Sequence, residues 1–299
     1  MIINNWHQLE ISKLTLHFYS HNINKKPYKF IGSAWRGMFG NILSKAVCNY
    51  NAPVCFNCPS AGSCSYPTLF KPLNNKLLSP FWLHRFYTHN NNNSNSCDYD
   101  VEVCWIGQHS YEISYWLEAL AKFTHKEPYH LSISKNYNSD RIYFKNANNK
   151  VDTQKDNNKY LLSWDYHKKW VRLPEILNLT NILNKKNYKP ECKIKFITPL
   201  VSKHSDDIFT GALITRLQRL ILQFGDKQLL PREDFWKIAE IIEHKQYKIK
   251  LSKRTLIAND VVLSLKEITP LGWEILQMGQ ILHAGGQTIM GCGAYKIIS

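Results

Sequence analysis

Apolar and polar residues largely alternate over residues 9–20, where Leu9, Ile11, Leu14, Leu16 and Phe18 are the apolar members, and this predicts a strand. The period then changes. Over residues 30–48, Ile31, Trp35, Met38, Phe39, Ile42, Leu43 and Val47 recur at helical spacing, with Gly32 and Ser33 where the helix would begin. Residues 48–70 are punctuated by Cys, Pro and Gly and read as a loop. A polar run at 90–96 reads as a second loop, 111–123 as a helix, and the Asn-, Asp- and Lys-rich stretch 136–159 as an exposed hairpin followed by a linker.

The second half repeats the order of the first. Residues 193–201 predict a strand and 210–224 a long amphipathic helix carrying Arg216 and Arg219. Residues 234–244 read as helical, 247–257 and 261–268 as paired strands, and 269–282 as a last helix. A turn containing Gly285, Gly286, Gly291 and Gly293 then leads into a terminal strand at 294–298. The order is β-α-(β or α)-β-α-β, the ferredoxin-like pattern. The expected class is therefore α+β, with two tandem ferredoxin-like (RRM-like) domains, 1–189 and 190–299, the first bearing a cysteine loop at 48–70.

Composition supports two packed cores. The chain has 299 residues, 44% hydrophobic and 13% aromatic, which excludes a disordered chain, whose signature is low hydrophobicity beside high charge. No stretch reaches the roughly 18 uninterrupted apolar residues of a membrane span. Residues 1–10 lack the basic start and apolar core of a signal peptide, so the expectation is a soluble, cytoplasmic protein without a membrane partner. Lys and Arg number 38 against 23 Asp and Glu, a net charge of +15 that points to a polyanionic partner such as nucleic acid or an anionic membrane, an ordinary basic protein being the alternative.

Two patterns suggest sites. Glycines at 285, 286, 291 and 293 permit positive φ, and successive exposed amides there would form an anion-binding concavity for phosphate; a tight turn without a ligand is the alternative. Cys48, Cys55, Cys58 and Cys64 have the spacing C-x6-C-x2-C-x5-C, in which the Cys55–Cys58 pair can hold one ion and the outer two complete a tetrahedral set. Structural zinc and reduced thiols that stabilise the loop by packing are the main readings; an iron–sulfur cluster would accept the same four thiolates, but no redox role suggests itself. Cys97, Cys104, Cys192 and Cys292 are scattered and read as small buried apolar residues.

Three stretches together carry a resemblance. They are Trp35-Arg36-Gly37-Met38-Phe39-Gly40 followed by the four cysteines and Tyr66-Pro67, then Phe196-Ile197-Thr198-Pro199-Leu200, then 281–288 running into Gly291-Cys292-Gly293-Ala294-Tyr295. In that order and spacing the chain resembles the CRISPR-associated endoribonucleases that process precursor CRISPR RNA, within the repeat-associated mysterious protein (RAMP) superfamily, in the subfamily with a cysteine-bearing loop. The resemblance implies two side-by-side ferredoxin-like domains and metal-independent cleavage of a repeat RNA by 2′-OH attack, giving a 2′,3′-cyclic phosphate. It also implies that the product stays bound in an effector complex with other CRISPR-associated subunits.

Such cleavage requires deprotonation of the 2′-OH, stabilisation of the pentacoordinate phosphate and protonation of the leaving oxygen, tasks suited to His with Lys, Arg or Tyr. Many members of that family place a His on or near the first helix, whereas residues 30–50 here contain none. The candidates are His283 beside the glycine turn, His21 with Tyr28 before the first helix, and a site built on Arg36 and Tyr without histidine. Arg216, Arg219, Arg232, Lys250, Lys253 and Arg254 are candidate phosphate contacts, the last three on a hairpin of a shape that can lie against RNA. Trp82, Tyr87, Tyr137 and Tyr247 are candidates for stacking on unpaired bases. Two other functions fit the same residues: a non-catalytic RAMP subunit that holds guide RNA, and a zinc-bearing regulator that acts on DNA.

Overall fold

A computed structural model describes residues 10–20, 32–48, 54–74, 77–90, 97–106, 116, 119–120, 129–134, 141–143, 164–165, 170–171, 177–178, 188–201, 209–225, 230, 234–251 and 255–298. The chain forms two compact units, one of Ile11–Ile176 and the other of Leu177–Ser299 together with Met1–Glu10.

In the first unit, β1 (Glu10–Ser20) leads to helix α1 (Gly32–Val47), a short helix α2 (Ser65–Phe70), and strands β2 (Phe81–Asn90), β3 (Cys97–Ile106), β4 (Tyr129–Ser134) and β5 (Arg141–Tyr143). The strands lie in the order β2-β3-β1-β4-β5, with antiparallel neighbours. Helix α1 forms where its apolar period predicts, and it buries Trp35, Phe39, Ile42 and Leu43. Trp116, Ala119 and Leu120 are helical and buried, inside the stretch predicted as a second helix. Aromatic rings knit this core: Phe81 lies 5.0 Å from both Phe70 and Trp116, and Phe39 lies 5.1 Å from Trp116, within the range for edge-to-face packing. Strands β6 (Trp164–Asp165) and β7 (Trp170–Val171) pair with each other, and β8 (Leu177–Asn178) begins the second unit.

The second unit runs β9 (Cys192–Phe196), α3 (Thr210–Phe224), β10 (Trp236–Lys250), β11 (Thr255–Ile268), α4 (Pro270–Leu282), β12 (Tyr295–Ile298). Its sheet order is β10-β11-β9-β12, again antiparallel throughout. Counted from β1 and from β9, the two larger sheets both place second, third, first and fourth strands side by side. Strand β9 alternates buried Cys192, Ile194 and Phe196 with exposed Lys193 and Lys195, so its register is fixed by which face meets the helices. Phe196, Phe209 and Tyr295 form the aromatic centre of the unit, with ring centroids 5.5 to 5.8 Å apart. Helix α4 starts with Thr269 as its cap, the hydroxyl accepting from the Gly272 amide at 3.0 Å, and with Pro270 at the first helical position. Gly279 is required there, since a Cβ would stand 2.0 Å from the Tyr295 hydroxyl.

Two elements differ in kind from the sequence expectation, and the first is α2, which forms inside the stretch read as a loop. In the second, residues 234–244 form no helix, and 236–244 are the first half of β10. Ile238, Ile241 and Ile242 have helical spacing, yet all three side chains are exposed, and a register shift between Ile241 and Glu243 shows that a bulge sets the spacing. Isoleucine is β-branched and prefers the extended chain, and no core was available to make that period helical.

Candidate RNA-facing site

The glycine turn after α4 is the first candidate, and the structure closes it upon itself. Gly285 N–H donates to the Ala212 carbonyl at 3.2 Å, Gly286 N–H to Val201 at 2.8 Å, Gly291 N–H to Thr288 at 2.7 Å and Gly293 N–H to Pro199 at 2.9 Å. All four amides thus have protein acceptors, and the expected cradle of exposed amides does not form. The glycines are needed for conformation instead. Gly285, Gly291 and Gly293 have φ between 76° and 82°, and a Cβ on Gly293 would stand 1.8 Å from the Ala284 carbonyl oxygen. Gly286 differs: it is exposed, has no positive φ, and a Cβ there would meet nothing closer than 3.6 Å.

His283, expected beside a bound phosphate, is 0% exposed. It ends α4 with φ 66°, its amide donates to the Gly279 carbonyl at 2.8 Å, and its ring Nδ1 lies 3.1 Å from the Cys292 carbonyl. A carbonyl only accepts, so Nδ1 carries the proton. A base must reach the proton it removes, and a ring without accessible surface does not. His283 therefore ties the helix end to the turn, and its assignment as general base is corrected.

Arg216 is corrected likewise. It is buried on α3, and its Nε donates to the Leu282 carbonyl at 2.6 Å, capping the C-terminal end of α4, where a cation is favoured. Burial, with Arg219 beside it, lowers its pKa to about 9. Its Nη2 has no hydrogen-bond partner among the described residues. Arg219 is half-buried on the same helix. Lys250 ends β10 and is exposed, while Lys253, Arg254, Arg232, His21, Tyr28 and Tyr137 lie outside the described residues.

In the first unit, Arg36 is half-buried and its guanidinium donates to the Phe70 carbonyl, so it joins α1 to α2. The same guanidinium opposes the upward shift that burial imposes on Tyr66. Trp82 is wholly buried and belongs to the core, whereas Tyr87 is exposed. Cys48, Cys55, Cys58 and Cys64 are all unoxidised. Burial raises the Cys64 pKa, and the other three thiols push it in the same direction, so each lies within electrostatic reach of Cys64. Among the described residues, however, no three of His, Cys, Asp and Glu are grouped so as to hold a metal ion. Cys104, Cys192 and Cys292 are buried as expected.

The sequence predicts a hairpin bearing Lys250, but not that its first strand, β10, reaches back to Trp236 and carries His244. Strand β10 edges its sheet, and 236–250 expose nearly every side chain, including Lys237, Lys245, Lys248 and Lys250. Across the pair, His244 Nε2 lies 2.9 Å from Asn259 Oδ1, which also accepts from Gln246 Nε2 at 3.2 Å. Asn259 is buried, and its Nδ2 donates to the Leu200 carbonyl at 3.3 Å, while the two backbones exchange both amide hydrogen bonds at 2.9 Å. Tyr247 donates to Asp260 at 2.9 Å on the opposite face, which with burial pushes its hydroxyl pKa up. The sequence signal was alternation of His244, Gln246, Lys248 and Lys250, hidden by the helical spacing of the isoleucines before it.

Among the described residues no helix is long and apolar enough to cross a membrane. A family described as AF_1859_N, N-terminal domain, matches residues 9–134. An uncharacterised protein of Archaeoglobus fulgidus is 37% identical over 62 residues, which span 21% of this chain and 21% of that protein. Among solved structures, the chain is similar to Thermus thermophilus Cas6 at a TM-score of 0.49 and 11% identity, covering 97% of this chain and 99% of that one. A Cas6-related protein of Pyrococcus furiosus matches at 0.47 and 10%, covering 97% and 99%. A protein described as a RAMP protein binding different RNA substrates matches at 0.46 and 11%, covering 96% and 99%. These three solved structures are described as Cas6, Cas6-related and RAMP proteins.

Proposed function

We propose that this chain is a RAMP-type, metal-independent endoribonuclease that binds CRISPR repeat RNA, cuts it by attack of a 2′-OH on the adjacent phosphate, and keeps the product within an effector complex. Two tandem ferredoxin-like domains are part of this reading, supported by the shared strand order of the two units. The observation that carries it is the exposed hairpin, whose lysines give part of the +15 charge a defined surface beside an accessible histidine. Phosphate contacts of this kind supply affinity without sequence, and an extended hairpin can lie along an RNA strand.

The burial of His283 and Arg216 favours a second reading, a RAMP subunit that holds guide RNA without cutting it. Incubation of the purified protein with CRISPR repeat RNA in EDTA separates the two. The proposal expects one cut that ends in a 2′,3′-cyclic phosphate and disappears when the scissile nucleotide is 2′-deoxy. Tight binding without any cut would leave the second reading.

Structural zinc on Cys48, Cys55, Cys58 and Cys64 is a separate proposal, supported by their spacing and electrostatic proximity. Elemental analysis of the purified protein tests it: one zinc per chain, lost in Cys58→Ser, is expected. A metal-free protein with unchanged melting behaviour would remove it.

A further inference from the structure

Among the histidines whose side chains are described, His84 and His283 are buried and His244 is exposed. His84 lies 3.8 Å from Glu102, which is buried and paired with Lys13 at 3.0 Å, so it belongs to a charge cluster inside the first unit. His244 has a different setting. Its Nε2 faces Asn259 Oδ1, an oxygen that only accepts, so the Nε2 carries the hydrogen and the Nδ1 is left as the basic atom of the ring. Asn259 in turn is fixed: it is buried, it pairs with Leu200 through both backbone hydrogen bonds, and its own Nδ2 is committed to the Leu200 carbonyl. A buried amide that sets both the tautomer and the orientation of an exposed imidazole is the geometry of a prepared general base.

Two further features surround it. Residues 244, 246, 248 and 250 share one face of β10, so Lys248 and Lys250 extend from the same side as His244. Cations so placed stabilise charge on a phosphate undergoing attack. The residue after Leu200, Val201, accepts from the Gly286 amide, which brings the exposed, unstrained glycine of the turn into the same neighbourhood and leaves room for a backbone to approach.

We propose that His244, oriented through Nε2 by Asn259, is the general base for RNA cleavage, with Lys248 and Lys250 meeting the phosphates on either side of the reaction. The assignment rests on the ribonuclease reading above. The 2′-OH proton passes to Nδ1 as the O2′–P bond forms. The P–O5′ bond breaks, and the leaving oxygen takes a proton from water. The imidazolium then returns its proton to solvent.

Single-turnover cleavage of the repeat RNA in EDTA, with RNA affinity measured in parallel, tests the assignment on the wild type, His244→Ala and His244→Gln. Wild-type cleavage, a loss of about 100-fold or more in both variants with affinity within about threefold, and partial restoration of His244→Ala by added imidazole are expected. Wild-type cleavage matched by both variants would overturn the base assignment and leave the ribonuclease reading standing. Variants whose affinity falls as far as their rate would make His244 a contact rather than a base. A wild type that binds and never cuts would overturn the ribonuclease reading, and the assignment with it.

Discussion

The turn at 283–294 and the hairpin at 236–268 lie in the same unit, and by sequence the turn has the stronger claim to be the RNA site. The structure reverses their order. The turn spends its amides on Ala212, Val201, Thr288 and Pro199, buries its histidine, and uses three of its glycines to pass through conformations that strain other residues. The hairpin presents an exposed edge with lysines and a histidine oriented from behind by a buried asparagine. A glycine cluster therefore marks where the backbone is tightly folded; whether it also binds an anion depends on how many of its N–H groups remain unshared.

Substitutions sharpen this contrast. The largest effect is expected from Gly293→Ala, since the Cβ would collide with the Ala284 carbonyl at positive φ; chemical denaturation should show a loss of about 3 kcal/mol or more, or no folded protein. His283→Ala should lower stability by about 1–3 kcal/mol through loss of a buried hydrogen bond and its packing, while the cleavage rate of the folded fraction stays unchanged. A selective collapse of cleavage in that variant would return the chemistry to the turn.

Much of the architecture was legible in the sequence. Helices α1, α3 and α4 were found because their apolar period faces a core, as the burial of Trp35, Phe39, Leu213, Leu217, Ile275 and Met278 shows. Strand β10 was misread because Ile238, Ile241 and Ile242 keep helical spacing for a reason unrelated to burial. The site was less legible. Asn259 acquires its role only through a bridge to Leu200, 59 residues away, and through a cross-strand bond to His244 that depends on hairpin register. Nothing local in the sequence distinguishes that asparagine from one in a turn.

Smaller effects separate the two regions further. Gly286→Asp adds a negative charge at the one turn glycine with room for it, so stability should stay within about 0.5 kcal/mol while RNA affinity falls, checked by thermal melting and filter binding. Lys248→Ala combined with Lys250→Ala should leave melting unchanged and reduce the slope of log affinity against log salt by about 1 for each lysine that meets a phosphate. An unaltered slope would mean those lysines stand clear of the RNA.

The most direct measurement is photocrosslinking of bound CRISPR repeat RNA followed by mass spectrometry of the adducted peptides. Adducts within 236–260, with Lys248 and its neighbours among them, are the result expected from a hairpin that meets RNA. Adducts confined to 283–294, with the hairpin unmodified, would contradict it.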